Sequence, residues 1–174
     1  MEFKIGQVFQ WRGKGIFGRL INLQNIIMFG ERGPTHCGVI SSVDKDTVII
    51  HEATKNGFVS NTYEKSFILE RINAGVVSIQ EANVKLHDVK KYCKKYEGIK
   101  YGFFTILVIA VRTLFDREIV FTDGAKTLIC SEGVSRVLYD CSDKQIDFEK
   151  EFEIPFDLIC PMNIYKSIQM TIIA

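Results

Sequence analysis

One stretch of the chain reads Thr127-Leu128-Ile129-Cys130-Ser131-Glu132-Gly133-Val134-Ser135-Arg136-Val137-Leu138. Apolar residues lead into Cys130, small and polar residues follow it, and apolar residues then recur at helical spacing. The pattern predicts a buried approach into a helix with Cys130 at its N-terminus. Such a position favours the thiolate because the first backbone N–H groups of a helix are unpaired and partly positive. Cys130 is therefore a candidate nucleophile, against the alternative that a free cysteine simply packs in the core.

The composition is that of an ordinary folded domain. The chain has 174 residues, 47% of them hydrophobic and 25% charged, which is enough to bury one hydrophobic core. We predict a single domain over residues 1–174. The formal net charge of +1 gives no electrostatic reason to expect a nucleic-acid partner. The sequence carries no signal for an oligomeric state.

The five cysteines are widely spaced, odd in number and without a CxxC pair. This spacing disfavours a disulfide scaffold and a zinc ribbon and is typical of a reducing compartment. The N-terminus, Met1-Glu2-Phe3-Lys4-Ile5-Gly6-Gln7, has no apolar core of a secretory signal. We therefore expect a cytoplasmic protein. A lysine-rich and aromatic-rich composition also suits a viral or phage origin, in which case the location would be the virion or the host cytoplasm.

The longest apolar run, residues 103–111, is nine residues long. A helix needs about 20 apolar residues to span a bilayer, so a buried helix is the favoured interpretation. Membrane contact remains the weaker alternative because the last residues, 168–174, are also largely apolar.

Residue periodicity predicts an α+β domain with its strands mostly early in the chain. Helical spacing predicts helices over residues 16–29 and 86–96, in addition to the one that begins at Cys130. Alternation and β-branched residues predict strands at 7–12, 35–41, 47–53, 74–82 and a further one beginning near 58. The second and third of these strands are expected to form a hairpin, and Pro161 is expected to end a short strand.

A cysteine nucleophile needs a base, and the base needs a group that orients it. His36 begins one strand of the predicted hairpin, and His51 and Glu52 end the other. Adjacent residues in a strand point to opposite faces, so only one of His51 and Glu52 can share the face of His36. Because residues 36 and 52 stand at matching strand ends, the hairpin favours His36 as base and Glu52 as its partner. His51 is expected on the other face.

A metal site competes for the same residues. His36, Glu52 and Cys130 are all possible zinc ligands, but the sequence has no HxxxH or CxxC ligand pair. We therefore expect neither a metal nor another cofactor.

Three ordered segments resemble a known family. They are Thr35-His36-Cys37-Gly38-Val39-Ile40, then Val48-Ile49-Ile50-His51-Glu52-Ala53 followed by Gly57-Phe58-Val59, and then Leu128-Ile129-Cys130-Ser131-Glu132-Gly133-Val134. They resemble the circularly permuted, NlpC-type branch of the papain-like cysteine peptidases and amidases, the YiiX-like group. The resemblance implies a papain-like fold, in which an antiparallel sheet or small barrel packs against helices and the nucleophile begins a helix.

The resemblance also implies a role for each matching position. Cys130 would be the nucleophile, His36 the general base and Glu52 the residue that orients it. Tyr101 and the backbone at Ser131 would contact the substrate or its oxyanion, although Tyr101 is equally well explained as a packed aromatic residue.

The chain departs from the family pattern at three places. Cys37 replaces a valine, which is expected to be harmless on a buried face. Gly133 replaces a common leucine and should weaken the helix slightly. The insertion at 102–123 is long and apolar, and is expected to form a lid or a site for an acyl chain.

The leading functional hypothesis is a thiol hydrolase. It would cleave an amide or ester bond in a cell-wall peptide or in an acylated or lipid molecule, through an acyl-enzyme on Cys130. Transfer of the acyl group to a lipid or other acceptor is the second hypothesis. A third is a non-catalytic binding module of viral or phage type that uses the same pocket.

Overall fold

The computed structural model describes residues 1–103, 105, 108, 109, 111 and 126–174. The strands are β1 Val8–Trp11, β2 His36–Val43, β3 Thr47–Thr54, β4 Gly57–Glu64, β5 Val77–Ala82, β6 Lys100–Tyr101, β7 Thr127–Leu128 and β8 Met170–Ile172. The helices are α1 Ile16–Phe29, α2 Lys65–Asn73, α3 Val89–Tyr96, α4 Cys130–Cys141, α5 Phe148–Phe152 and α6 Pro161–Lys166, with a 3₁₀ turn at Phe156–Leu158. Of the helix predicted over 103–111, residues 103, 105, 108, 109 and 111 are described and are helical. The lid predicted over 102–123 falls largely outside the described residues.

Six strands form one antiparallel sheet in the order β4-β3-β2-β1-β5-β8. The predicted α+β class is confirmed, and the sheet has β4 and β8 at its two ends rather than closing into the small barrel considered above. The predicted hairpin is also confirmed, since β2 pairs directly with β3. A separate parallel pair, β6 with β7, lies just before α4.

Each face of the sheet buries its own apolar cluster. Val8, Cys37 and Val39 point to one face and pack with residues of α4, among them Val134 and Leu138. The alternate residues of the same strands point to the other face and form a cluster with Ile68 of α2; they include Phe9, Ile40, Val48, Ile50, Val77 and Ile79. Period-two alternation along the strands thus places α4 on one side of the sheet and α2 on the other.

Helix α4 begins at Cys130, as predicted, because Ile129 is still extended with φ −90° and ψ 166°. The helix lies close against β4 at Gly133. A Cβ atom there would come within 2.6 Å of Cε2 of Phe58, so glycine lets the helix approach the sheet. The weak helix propensity of Gly133 is thereby explained by packing.

One prediction about element type needs correction. The segment at 156–161 is a 3₁₀ turn followed by α6, and Pro161 opens that helix instead of ending a strand. Proline suits the first position of a helix because its missing N–H has no partner there in any case. Among the described residues, no helix has the length and apolar character needed to cross a membrane.

Candidate active site

Cys130 is the first residue of α4 and lies buried against β2. The first backbone hydrogen bond of the helix runs from the N–H of Gly133 to the carbonyl of Ile129, at 3.0 Å. The N–H groups of Cys130 and Ser131 precede that bond and point out of the helix end. They are positioned to stabilise negative charge at or beside the sulfur.

His36 and Glu52 lie on one face of the sheet and are joined by a hydrogen bond between Nε2 of His36 and Oε2 of Glu52. The register places Gly38, not His36, opposite Glu52, so the pair is diagonal across the hairpin. A Cβ atom at Gly38 would stand 3.1 Å from Cβ of Glu52 and 2.6 Å from Cγ2 of Ile50. Glycine at 38 therefore makes room for the diagonal contact.

The second carboxylate oxygen of Glu52 is held by two groups on β4. Oε1 accepts a hydrogen bond from Nδ2 of Asn61 at 2.9 Å and from the hydroxyl of Tyr63 at 2.5 Å. Asn61 and Tyr63 were not predicted as site residues. The strand predicted to begin near residue 58 could have been extended through residues 60–63. Alternation along it would then have placed Asn61 and Tyr63 on the face of Glu52.

The electrostatics favour a thiolate on Cys130 and an imidazolium on His36. A hydrogen bond from the Cys37 thiol lowers the pKa of Cys130, burial raises it, and the charge of His36 lowers it again; the net pKa is well below that of a free thiol. Burial lowers the pKa of His36, but the charge of Cys130 and the hydrogen bonds to Cys130 and Glu52 raise it to about 10. Each group therefore stabilises the charged form of the other.

Glu52 remains a carboxylate in this arrangement. Burial raises its pKa, but the hydrogen bond and charge of His36, together with the bonds from Tyr63 and Asn61, lower it below the ordinary value. Because Nε2 of His36 is engaged by Glu52, the other ring nitrogen, Nδ1, is the one able to exchange a proton with Cys130. The imidazole side chain keeps 28% of its surface exposed, which leaves it accessible to a substrate.

Cys37 is closer to the chemistry than the sequence suggested. It neighbours His36 on β2 and points to the opposite face, where α4 packs, and hydrogen bonding by its buried thiol is the largest of the causes that lower the pKa of Cys130. Burial and the adjacent charge raise the pKa of Cys37 well above the ordinary value, so it stays a thiol and a donor. Valine would fill the same space without donating. The signal was present in the alternation of the strand, which sends residue 37 toward the helix.

A narrow pocket opens at Cys130. Its described lining is mostly apolar and consists of Ile21, Gln24, Tyr101, Ile109, Ile129, Cys130, Ser131, Cys160 and Pro161. The pocket thus brings together three of the predicted site residues, Cys130, Tyr101 and Ser131.

Tyr101 and Ser131 contribute to this pocket in different ways. Burial and then the charge on Cys130 raise the pKa of Tyr101, so its hydroxyl remains a neutral donor near the sulfur. The hydroxyl of Ser131 donates to the carbonyl of Ile159 at 2.6 Å, which fixes α4 to the segment before α6. Of the two donors of Ser131, the hydroxyl is therefore occupied, and the backbone N–H is the one positioned for an oxyanion.

His51 faces away from His36, as predicted. Its Nδ1 lies 2.8 Å from the hydroxyl of Ser41, and its ring packs 6.0 Å from that of Phe58. Burial lowers the pKa of His51, so it is a neutral core residue.

A metal centre in proteins is commonly built from several converging Cys, His, Asp or Glu side chains. In residues 1–103 and 126–174, together with the four isolated residues between them, no group of three or more such side chains is placed to hold a metal ion.

Comparison with known proteins supports the fold but assigns no activity. No known family and no curated protein matches the sequence. The structure is similar to the crystal structure of the metalloprotein yiiX from Escherichia coli O157:H7, with a TM-score of 0.63 and 14% identity over 98% of this chain and 96% of that one. A likeness at this identity concerns the fold alone, and it supports the YiiX-like fold predicted from the sequence motifs.

Proposed function

We propose that the chain is a papain-like thiol hydrolase of the circularly permuted NlpC type, with Cys130 as nucleophile, His36 as acid and base, and Glu52 as the group that orients His36. The observation that carries the proposal is the arrangement of these three residues. The thiol of Cys130 lies at the start of a helix, and the charge of the His36 imidazolium lowers its pKa. Nε2 of that imidazole is hydrogen-bonded to the carboxylate of Glu52. A structural cysteine needs no such partners.

The reaction follows from the positions of these groups. The thiolate of Cys130 attacks the carbonyl carbon of an amide or ester, and the oxyanion is stabilised by backbone N–H groups at the start of α4. The imidazolium of His36 gives its proton to the leaving nitrogen or oxygen, which yields an acyl-enzyme. Neutral His36 then takes a proton from the attacking water, and collapse of the second tetrahedral intermediate frees the acid and restores the thiolate.

The pocket favours an acyl substrate over a polar peptide. Its described lining includes Ile21, Ile109 and Ile129. Apart from the thiolate of Cys130, none of the described lining residues carries a charge. A hydrocarbon chain placed there would gain free energy in proportion to the apolar area it buries. Transfer to an acceptor other than water is the second candidate reaction, since the same acyl-enzyme would serve both.

The neighbour yiiX is described as a metalloprotein. The described residues of this chain do not offer a three-ligand site, so they do not fit such a centre. No step of the proposed reaction runs through a metal.

The first test compares the alkylation rates of the five cysteines with iodoacetamide, as a function of pH, by mass spectrometry. We expect Cys130 to react fastest below about pH 7, where an ordinary thiol is protonated, and to lose that advantage in His36→Ala. Cys93 is the internal control, because burial raises the pKa of its thiol to about 12. Equal rates at Cys130 and Cys93 would contradict the proposal and favour a binding module.

The second test looks for the acyl-enzyme. Wild-type protein is mixed with p-nitrophenyl esters of short and medium acyl chains, and its intact mass is measured during the initial burst. We expect an acyl adduct that maps to Cys130 and is absent in Cys130→Ala, with faster formation for the medium chain because the pocket is apolar.

A further inference from the structure

Helix α1 has its polar residues inside and its apolar residues outside. Asn25 is fully buried and donates from Nδ2 to the carbonyl of Pro34 at 3.1 Å, and Gln24 is also buried. On the buried side, a Cβ atom at Gly18 would come within 2.5 Å of the carbonyl oxygen of Gly13, so the helix lies close to the preceding loop. The hydrophobic effect alone would turn such a helix the other way.

The outward face of α1 carries a continuous apolar stripe. Ile16, Leu20, Leu23 and Ile27 follow one another at helical spacing and are each between 46% and 78% exposed. Further exposed apolar residues lie on either side of the stripe; they are Phe17, Ile26, Met28 and Phe103, with the rings of Phe17 and Phe103 6.2 Å apart. Contiguous exposed patches of this kind mark interaction surfaces.

The charged residues within α1 and just before it have one sign. The sequence has no Asp or Glu between residues 3 and 30, although the whole chain balances 22 basic against 21 acidic residues. Lys14 and Arg19 of this segment are exposed beside the stripe. Apolar residues flanked by cations match the surface of a membrane that contains anionic lipids, because the negative headgroups attract nearby Lys and Arg side chains.

The length of α1 suits a helix that lies on a bilayer. Its 14 residues extend about 21 Å at 1.5 Å per residue, against about 30 Å for the hydrocarbon core. A second copy of the chain fits the charges less well. A parallel pairing of two α1 faces would bring the Lys14 and Arg19 side chains of both copies together, and α1 has no carboxylate to offset them.

We infer that α1 is an interfacial helix that seats the protein on an anionic lipid surface through Leu20, Leu23 and Ile27. Its inner side contributes Ile21 and Gln24 to the pocket that holds Cys130. Docking of α1 therefore places that pocket about one helix diameter, roughly 10 Å, from the lipid surface. A catalytic use of this placement rests on the proposed thiol chemistry, whereas the docking does not.

The test is flotation of the protein with vesicles of phosphatidylcholine, alone or mixed with phosphatidylserine. We expect wild type to float with the mixed vesicles, less with phosphatidylcholine alone, and less at high salt. The double substitution Leu20→Ser with Ile27→Ser should weaken binding by about tenfold or more for each side chain removed. Ile168→Ser is the matched control, because Ile168 is 83% exposed and lies outside α1; it should float like wild type.

The variant Cys130→Ala separates this inference from the proposed function, since it should bind vesicles as wild type does even though it cannot form an acyl-enzyme. Wild type that stays unbound, or a double variant that floats like wild type, would overturn the inference. So would a lipid-free dimer that the double substitution dissociates, because a second copy would then cover the stripe. A clearly lower melting temperature of the double variant would also overturn it, since the chain itself would then bury these residues.

Discussion

The thiol of Cys37 is the clearest case of a residue whose role depends on its neighbour. On the strand it replaces a valine of the family pattern, and the fold turns it toward α4, where its hydrogen bond is the leading factor that lowers the pKa of Cys130. The same strand sends His36 to the other face. Two adjacent residues that point to opposite faces of the sheet thus both lower the pKa of the same thiol.

Replacement of Cys37 by valine should leave the fold intact and make Cys130 less reactive. The side chain is buried and valine has a similar size, but it donates no hydrogen bond, so the pKa of Cys130 should rise. Labelling of Cys130 in mildly acidic buffer should slow by about tenfold, the worth of one charge-assisted hydrogen bond of roughly 1.5 kcal/mol. The measurement is the pH profile of iodoacetamide labelling, and Cys93→Ala serves as control. A profile that does not move would show that Cys37 only packs.

Alternation and turn residues were sufficient to predict the β2–β3 hairpin and which of its residues share a face. The predicted register was wrong by two residues, because Gly38 and not His36 stands opposite Glu52. The contacts between distant segments could not be predicted in this way. Nothing local shows that Asn61 and Tyr63 hold Glu52, because that contact depends on the length and register of β4. The position of Cys37 beside Cys130 likewise needs the docking of α4.

At the scale of elements, the start of α4 and the β2–β3 hairpin followed from local patterns, whereas the orientation of α1 did not. Helical spacing over residues 16–29 predicted a helix, and the structure confirms it. Periodicity defines a stripe, but it does not say whether the stripe faces the sheet or the solvent. In α1 the buried hydrogen bond from Nδ2 of Asn25 to the carbonyl of Pro34 and the close approach at Gly18 favour the observed orientation.

Substitution of Gly133 by alanine should destabilise the protein by about 1 to 3 kcal/mol, despite the higher helix propensity of alanine. The added methyl group would lie 2.6 Å and 2.8 Å from ring atoms of Phe58, and α4 would have to move away from β4. Urea unfolding measures the change. Gly15→Ala is the control, because a Cβ atom at Gly15 meets nothing within 4 Å. A double variant that also carries Phe58→Leu should recover part of the loss, and equal stability of Gly133→Ala and wild type would contradict the packing explanation.

For the whole molecule, a buried ion network connects α4 with the segment that precedes α6. Arg136 donates from Nε to Oε1 of Glu132 at 2.9 Å and from Nη2 to Oδ1 of Asp157 at 2.8 Å. Oε2 of Glu132 is buried and has no hydrogen-bond partner among the described residues. Burial raises the pKa of Glu132 to about 8 in spite of the arginine.

This raised pKa predicts how stability depends on pH. Between the ordinary pKa of 4.5 and about 8 the folded protein holds a proton on Glu132 that the unfolded chain releases, so this residue makes stability fall as pH rises through that window. Glu132→Gln should remove the effect. The drop in melting temperature between about pH 5 and about pH 8 should be smaller in the variant by roughly 4 °C or more.

Scanning calorimetry at the two pH values, on wild type and Glu132→Gln, gives the comparison. The exposed Glu70→Gln on α2 is the control and should keep the drop of wild type. An equal drop in Glu132→Gln and wild type would mean that Glu132 is already ionised in the folded protein at low pH.

The diagonal contact across the hairpin has a consequence for the protein during synthesis. The sheet contains His36, Cys37 and Glu52, whereas Cys130 belongs to a helix far along the chain. A partly synthesised polypeptide can therefore bring His36 and Glu52 together while Cys130 is not yet made or not yet packed against the sheet. Its thiol is then as inert as that of any free cysteine at neutral pH. The thiol of Cys130 therefore gains its high reactivity only when the tertiary structure is complete. In a nascent or misfolded copy it reacts no faster than an ordinary cysteine.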